Sequence, residues 1–127
     1  PGAAGCQLSN APVLAMAAHK ASLDMFDEVG MDALVAKGKK LNAFLEQVVM
    51  DAQVVNDKLE FEVITPAERG CQLSVLTNEN GKALFDYLTE RDVLTDWREP
   101  NVIRLAPVPL YNSFMDVWEF GELLKGF

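Results

Sequence analysis

Residues 101–114, NVIRLAPVPLYNSF, determine how the second half of the chain is organised. The letters VIRLA alternate as in a half-buried β-strand, so Arg104 is predicted to share one strand face with Val102 and Ala106. Two prolines follow and end the strand, because proline cannot donate to the hydrogen-bond ladder of a sheet. A charged side chain in such a strand is costly to bury alone. Arg104 therefore needs an anionic partner, within this chain or outside it.

Periodicity on both sides of this stretch predicts an α+β domain. Spacings of three and four predict helices, and alternation predicts strands. The predicted helices lie at residues 12–30, 31–56, 82–91 and 113–127, and the predicted strands at 59–65, 71–77, 93–97 and 102–106. The last helix is expected to begin at Ser113, because Asp116 three residues later completes a pattern typical of a capping box. The order α-α-β-β-α-β-β-α favours a small, largely antiparallel sheet of about four strands with helices covering one face.

The long second helix is predicted to have one apolar face, because its apolar residues recur at spacings of three, four and seven. These residues are Met31, Leu34, Val35, Leu41, Leu45, Val48 and Val49. Gly38 lies among three lysines and is expected on the solvent side. In the last helix the residues expected to share roughly one face are Phe114, Val117, Trp118 and Leu124.

The composition is that of an acidic globular domain. The chain has 127 residues and a net charge of −8, and half of its residues are apolar. The negative charge argues against a nucleic-acid partner, whose phosphates favour a basic surface. No apolar stretch approaches the roughly 20 residues of a membrane span, and the first residues do not resemble a signal peptide. We therefore expect a cytoplasmic protein with no membrane partner, in which Cys6 and Cys71 are free thiols.

Local motifs of catalysis are missing from the sequence. His19 is the only histidine and is expected to be a surface or packed residue. There is no HExxH, no Gly-rich phosphate loop, no EF-hand loop and no Gly-x-Ser-x-Gly. One histidine and two distant cysteines do not favour a metal site. The residues alone therefore complete no catalytic site, and no metal is expected.

Three residues are candidates for ligand binding, and each has a structural alternative. Arg104 offers a fork of N–H donors that matches a carboxylate, or it forms an internal ion pair. Asn10 precedes a helix start, where it would cap the helix or contact an anionic ligand. Arg69 lies at a turn into a strand, where it would bind an anion or anchor the turn.

Three long segments carry the most specific pattern in the chain. They are QLSNAPVLAMAAHKASLDMFDEVGM, ITPAERGCQLSV and DWREPNVIRLAPVPLYNSFMDVWEF. In this order, over nearly the whole chain, they resemble the kynureninase family of pyridoxal-phosphate (PLP) hydrolases. The first segment differs from the family pattern Ser-Asn-Pro-Pro by having Ala11 in place of a proline.

The resemblance implies a place in the class V aminotransferase superfamily, whose members have fold type I. Residues 1–30 would be an interdomain lead-in and helix, and residues 31–127 would be the small C-terminal α+β domain. The large PLP-binding domain would lie outside this chain. Such enzymes work as homodimers with active sites at the subunit interface.

The resemblance also implies roles for single residues. Arg104 matches the arginine that holds the α-carboxylate of the substrate, and Asn10 matches an asparagine of the cofactor pocket. Arg69 and Tyr111 lie in family motifs as supporting residues without an assigned contact. No lysine of the chain matches the motif of the lysine that forms a Schiff base with PLP. The resemblance therefore implies no catalytic residue here, and a chain that is inactive on its own.

The implied activity is the hydrolysis of L-kynurenine or 3-hydroxykynurenine to anthranilate or 3-hydroxyanthranilate and L-alanine. This reaction belongs to tryptophan catabolism, the kynurenine pathway and NAD biosynthesis. Two alternatives stay open. In the first, the chain is the small domain of another class V PLP enzyme, such as a cysteine desulfurase or a transaminase. In the second, it is a free-standing amino-acid-binding module.

Overall fold

A computed structural model describes residues 2–6 and 9–127 of the chain. Residues 1, 7 and 8 of the predicted lead-in lie outside the described residues. The chain divides into two compact units, Pro1–Ala33 and Leu34–Phe127. No helix within the described residues combines the length and apolar character that crossing a bilayer requires.

The first unit consists of a short 3-10 helix, Ala3–Cys6, the helix α1, Val13–Val29, and the first residues of α2, Met31–Val55. The helix α1 ends where the sequence predicts, at Gly30. Gly30 has a φ of +82°, a region that favours glycine, and its N–H donates to the Phe26 carbonyl at 2.8 Å. No residue of α1 is buried, and Leu14 is 88% exposed. The apolar residues of α1 therefore contribute nothing to a core within the described residues.

The second unit contains the rest of α2 and the α+β fold predicted from the sequence. Its further elements are β1 Phe61–Val63, β2 Leu73–Thr77, α3 Gly81–Thr89, β3 Asp96–Arg98, β4 Val102–Leu105 and α4 Phe114–Lys125. The strands form one sheet in the order β1-β2-β4-β3, and all neighbouring strands are antiparallel. The predicted α+β class and antiparallel sheet are therefore confirmed.

The third strand is shorter than predicted. It begins at Asp96 instead of residue 93, because the preceding residues still close α3. The Val93 N–H donates to the Leu88 carbonyl at 3.0 Å, and Asp92 has a φ of +61°. A chain bent in this way at a helix end cannot also pair in a sheet.

One face of the sheet packs into the core. Strand residues alternate between the two faces, and the core face carries Leu73, Val75, Ile103 and Leu105. These side chains cluster with residues of all three helices of this unit, among them Leu41, Leu45, Val49, Leu84, Leu88, Val117 and Leu124. The opposite face, called the outer face below, carries Glu62, Ser74, Leu76, Asp96, Arg98, Val102 and Arg104. Arg104 and Val102 share a face, as the alternation predicts.

The helix α2 buries most of its predicted apolar face, but Gly38 is also buried. A Cβ on Gly38 would lie 3.4 Å from the Cys71 sulfur and 3.5 Å from Pro109 Cγ, so the expectation that this glycine faces solvent is wrong. The lysines around it misled the prediction, because a long lysine can reach water from a helix flank that packs closely. Met31 and Val35, predicted for the apolar face, are 58% and 47% exposed.

The helix α4 begins with the predicted capping box. The Ser113 hydroxyl accepts from the Asp116 N–H at 3.2 Å, and the Asp116 carboxylate accepts from the Ser113 N–H at 2.9 Å. The buried side of α4 differs from the predicted one, because Phe114 and Trp118 are 43% and 50% exposed. The buried positions are Val117, Phe120, Gly121 and Leu124.

Candidate functional site

Arg104 and Asp96 are direct partners across the strand pair β3–β4. Arg104 Nε donates to Asp96 Oδ2 at 2.7 Å, and Arg104 Nη2 donates to the same oxygen. The Arg104 side chain keeps 33% of its surface exposed. Of the two readings that the sequence left open for Arg104, the structure shows an internal ion pair, formed at the surface of the outer face.

A second arginine shares the same carboxylate. Arg98 Nη2 lies 3.0 Å from Asp96 Oδ2, and Arg98 Nε donates to that oxygen at 3.2 Å. Two guanidinium groups thus share one carboxylate, so these three side chains together carry one net positive charge. A partly exposed positive charge of this kind attracts an anion.

The two arginines also change the acidity of Asp96. The hydrogen bond from Arg104 is the largest cause that lowers the pKa of Asp96 below its usual value, and burial acts in the opposite direction. The charges of Arg104 and Arg98 lower the pKa further. Asp96 is therefore ionised at neutral pH, and its charge balances one of the two arginines.

The ion pair occupies only one edge of the Arg104 guanidinium. Asp96 binds the edge formed by Nε and Nη2. Within the described residues, the other edge, formed by Nη1 and the second N–H of Nη2, has no hydrogen-bond partner. Arginine can bind a carboxylate through either edge with two parallel hydrogen bonds. Arg104 therefore retains a complete fork for an external carboxylate while it is paired with Asp96.

Sequence reasoning did not identify Asp96, although a signal was present. Asp96 and Arg104 lie at equal distances on either side of Pro100, and the two strands meet in a short turn at this proline. In a hairpin, residues at equal distances from the turn face each other and point to the same side. If residues 96–104 are treated as a hairpin, Asp96 is predicted to lie opposite Arg104.

Arg69 anchors the segment between β1 and β2 to α2. Its Nε donates to Asn42 Oδ1 at 2.5 Å, and its Nη2 forms an ion pair with Glu46. Asn42 also donates to the Cys71 carbonyl at 2.9 Å. The Arg69 side chain is only 16% exposed. These contacts match the structural alternative for Arg69, and the signal for them is the spacing of Asn42 and Glu46, four residues apart on one helix face.

Tyr111 lies in the loop between β4 and α4 and is 73% exposed. Lys37 holds this loop, because its Nζ donates to the carbonyls of Pro109 and Asn112 at 2.7 Å each. The Asn112 side chain in turn accepts from the Val108 N–H at 2.8 Å. A fixed backbone thus presents an exposed phenol ring at Tyr111.

Asn10 belongs to the first unit, whereas Arg104, Arg69 and Tyr111 belong to the second. Asn10 is exposed and lies in irregular backbone before α1. The N-cap of α1 is Pro12, so the alternative that Asn10 caps this helix is wrong. The helix begins at Val13, two residues later than that alternative requires.

Two cavities in the second unit differ in the side chains that line them. A PLP site needs a lysine and a ring-stacking side chain in one cavity. A cavity of about 620 Å³ contains Tyr111 and Arg91 but no lysine. A second cavity of about 530 Å³ contains Lys39 and Arg69 but no aromatic residue. Within the described residues, no cluster of histidine, cysteine and carboxylate side chains could hold a metal ion.

Comparison with known proteins gives one consistent family. The family model of the kynureninase C-terminal domain matches residues 34–124. The kynureninase of Christiangramia forsetii is 56% identical over 128 residues, which cover 98% of this chain and 30% of that protein. The kynureninases of Flavobacterium johnsoniae and Xanthomonas euvesicatoria pv. vesicatoria are 53% and 50% identical, with the same coverage. The chain thus spans about 30% of the length of these curated relatives. The chain belongs to the kynureninase family, in which residues 34–124 correspond to the C-terminal domain.

Proposed function

We propose that this chain is the C-terminal part of a kynureninase that hydrolyses L-kynurenine and 3-hydroxykynurenine to anthranilate or 3-hydroxyanthranilate and L-alanine. The relatives named kynureninase, at 50–56% identity over nearly all of this chain, support the reaction. PLP would supply the chemistry, since its ring accepts the electrons of a developing carbanion. The proposal includes a place in tryptophan catabolism and a cytoplasmic location.

The role of Arg104 is to bind the α-carboxylate of the substrate. The observation that carries this role is the Nη1–Nη2 edge of this partly exposed arginine, which has no hydrogen-bond partner among residues 2–6 and 9–127. A carboxylate on this edge would receive two parallel, charge-assisted hydrogen bonds. Binding at a fixed fork orients the amino-acid end of the substrate, so the bond to be cleaved is held in one position relative to the cofactor.

Asn10 contributes an amide to the cofactor pocket in this proposal. Its exposure, and its place outside the helix cap, leave the amide available for that contact. Arg69 supports the fold of the β1–β2 segment through Asn42 and Glu46. Tyr111 is an exposed supporting residue on the loop that Lys37 holds.

The remaining parts of the active site lie outside this chain. Residues 1–30 act as the lead-in and helix, residues 31–127 form the small domain, and a large domain carries the lysine that binds PLP. The chain covers only 30% of the length of the relative from Christiangramia forsetii, which supports this division. Two subunits assemble as a homodimer and share the active sites. The chain alone would then be inactive and would not bind PLP covalently.

The experiment that tests the reaction uses the complete protein encoded by the gene that carries this sequence. We expect the purified protein, loaded with PLP, to convert L-kynurenine into equimolar amounts of anthranilate and L-alanine. Sulfur release from cysteine, or amino transfer to a keto acid, without anthranilate would assign it to another class V activity. The 127-residue chain, treated with PLP and borohydride, should retain no cofactor on any lysine.

A further inference from the structure

We propose that Asp96 is a positioning residue, which holds Arg104 so that its Nη1–Nη2 edge faces the substrate carboxylate. The inference rests on the proposed function of Arg104 and adds a residue to it. Asp96 itself does not touch the substrate in this proposal. It acts through the guanidinium, by occupying the Nε–Nη2 edge.

The backbone fixes this arrangement before any ligand arrives. Asp96 and Arg104 are paired in the antiparallel register of β3 and β4, so their side chains leave the sheet on the same face. An arginine side chain has several rotatable bonds and loses much conformational freedom when it binds a ligand. Because Asp96 already restrains Arg104, part of that loss occurs on folding and not on binding.

The distribution of charge keeps Asp96 from repelling the substrate. Asp96 accepts hydrogen bonds from both Arg104 and Arg98, and all of these contacts fall on Oδ2. The three side chains together carry one net positive charge. An approaching carboxylate therefore meets an attractive corner, although a carboxylate is already present there.

The exposure of the pair favours positioning over stabilisation as its role. The Arg104 and Asp96 side chains are 33% and 43% exposed. Ion pairs in such surroundings contribute little to the stability of a fold. The hydrogen bonds from Nε and Nη2 still set the direction of the guanidinium, because they form only when this edge faces the Asp96 carboxylate. The loss of Asp96 is therefore expected to change substrate binding more than folding.

The test compares Asp96→Ala and Asp96→Asn with the wild type in the complete, PLP-loaded protein. Substrates are L-kynurenine and its carboxamide, which lacks the carboxylate. For Asp96→Ala we expect KM for L-kynurenine to rise about tenfold while kcat changes about threefold or less, because an unrestrained Arg104 loses more conformational freedom when it binds the carboxylate. The preference for the carboxylate over the carboxamide should fall by the same factor of about ten. Asp86→Asn, which removes a charge from the exposed pair with Lys82, is the matched control and should change neither value.

A double-mutant cycle separates action through Arg104 from a general effect. If Asp96 acts through Arg104, Asp96→Ala has no further effect on KM in the Arg104→Ala background. An equal effect in both backgrounds would overturn the inference. A lower KM in Asp96→Asn would also overturn it, since Asp96 would then compete with the substrate for Arg104. If Asp96→Ala does not fold, Asp96→Asn keeps the shape of the side chain and gives the same comparison.

Different results would contradict the proposed role of Arg104 and the proposed role of Asp96. If Arg104→Ala leaves the preference for the carboxylate unchanged, the proposed function of Arg104 is wrong. If Arg104→Ala abolishes the preference and Asp96→Ala does not reduce it, only the role of Asp96 is wrong. Calorimetric titration with L-alanine and L-alaninamide provides a second measure that does not require turnover. We expect Asp96→Ala to weaken the binding of L-alanine about tenfold and to leave that of L-alaninamide unchanged.

Discussion

Lys37 in α2 donates a hydrogen bond from Nζ to the carbonyl of Asn112, 75 residues further along the chain, at 2.7 Å. The same nitrogen donates to the Pro109 carbonyl at 2.7 Å, so one side chain satisfies two carbonyls of the loop that carries Tyr111. Backbone carbonyls in an irregular loop lack the regular partners that a helix or sheet provides. Lys37 thus fixes the loop that follows the strand of Arg104.

We expect Lys37→Met to destabilise the chain by about 1–3 kcal/mol, because it leaves two partly buried carbonyls without a charged donor while keeping the aliphatic stem. Urea unfolding of the 127-residue chain measures the change. Lys40→Met is the matched control, since Lys40 is exposed on the same helix, and it should change stability by about 0.5 kcal/mol or less. Equal losses in the two variants would contradict the role of Lys37.

Gly121 allows α4 to approach α2. A Cβ at this position would lie 2.3 Å from Val48 Cγ1, which is well inside van der Waals contact. We expect Gly121→Ala to destabilise the chain by about 1–3 kcal/mol, although alanine is the better helix former, because the buried contact with Val48 leaves no room. Thermal and urea unfolding report the loss.

A second substitution tests the cause of that loss. In the Val48→Ala background the methyl group at position 121 has space. Gly121→Ala should therefore lower the free energy of unfolding by less in that background, or raise it. If the cost of Gly121→Ala is the same with valine and with alanine at position 48, the close contact between the helices is not the reason.

Much of the fold follows from periodicity, because burial imposes it directly on the sequence. The spacing of apolar residues predicts one helix face that contains Leu41 and Leu45, and both are buried. The alternation of residues 102–106 predicts a strand, and its Ile103 and Leu105 are buried as well. The capping box of α4 was predicted for a similar reason, since it depends on two residues three positions apart. Features that depend on local spacing can be read from one sequence.

Features that depend on distant contacts could not be predicted in this way. Gly38 and Gly121 are buried because other segments approach them, and nothing in their immediate neighbours reveals those segments. Periodicity within a single strand does not reveal Asp96 as the partner of Arg104, which follows only when residues 96–104 are treated as a hairpin around Pro100. The role of Arg104 as a substrate ligand, in contrast, came from the family resemblance and stays a prediction.

We expect Arg104→Ala in the complete enzyme to reduce kcat/KM for L-kynurenine about 100- to 1000-fold, mainly through KM, because it removes a bidentate, charge-assisted contact with the carboxylate. Arg104→Lys should recover only a minor part of the loss, since an ammonium group cannot form two parallel hydrogen bonds in one plane. Steady-state kinetics of anthranilate release measures both. An unchanged kcat/KM in Arg104→Ala would remove Arg104 from the substrate site.

Asp116 makes the stability of the α4 capping box depend on pH. The hydrogen bond from the Ser113 N–H is the largest cause that lowers the pKa of Asp116, and the side chains of Asn112 and Ser113 add to it. In the unfolded chain the pKa returns to about 3.9. Because the folded pKa is the lower of the two, the ionised carboxylate stabilises the fold fully above the unfolded pKa. This contribution is lost as the pH falls through the folded pKa.

We therefore expect the free energy of unfolding of the wild type to exceed that of Asp116→Asn by a constant amount above about pH 5. Below that pH the difference should shrink steadily and disappear once the pH is below the folded pKa of Asp116. Asparagine keeps the shape and one acceptor oxygen, so the variant isolates the effect of the charge. Urea unfolding of both chains between about pH 7 and pH 2 gives the two curves. Parallel curves over the whole range would show that the charge of Asp116 does not stabilise the helix start.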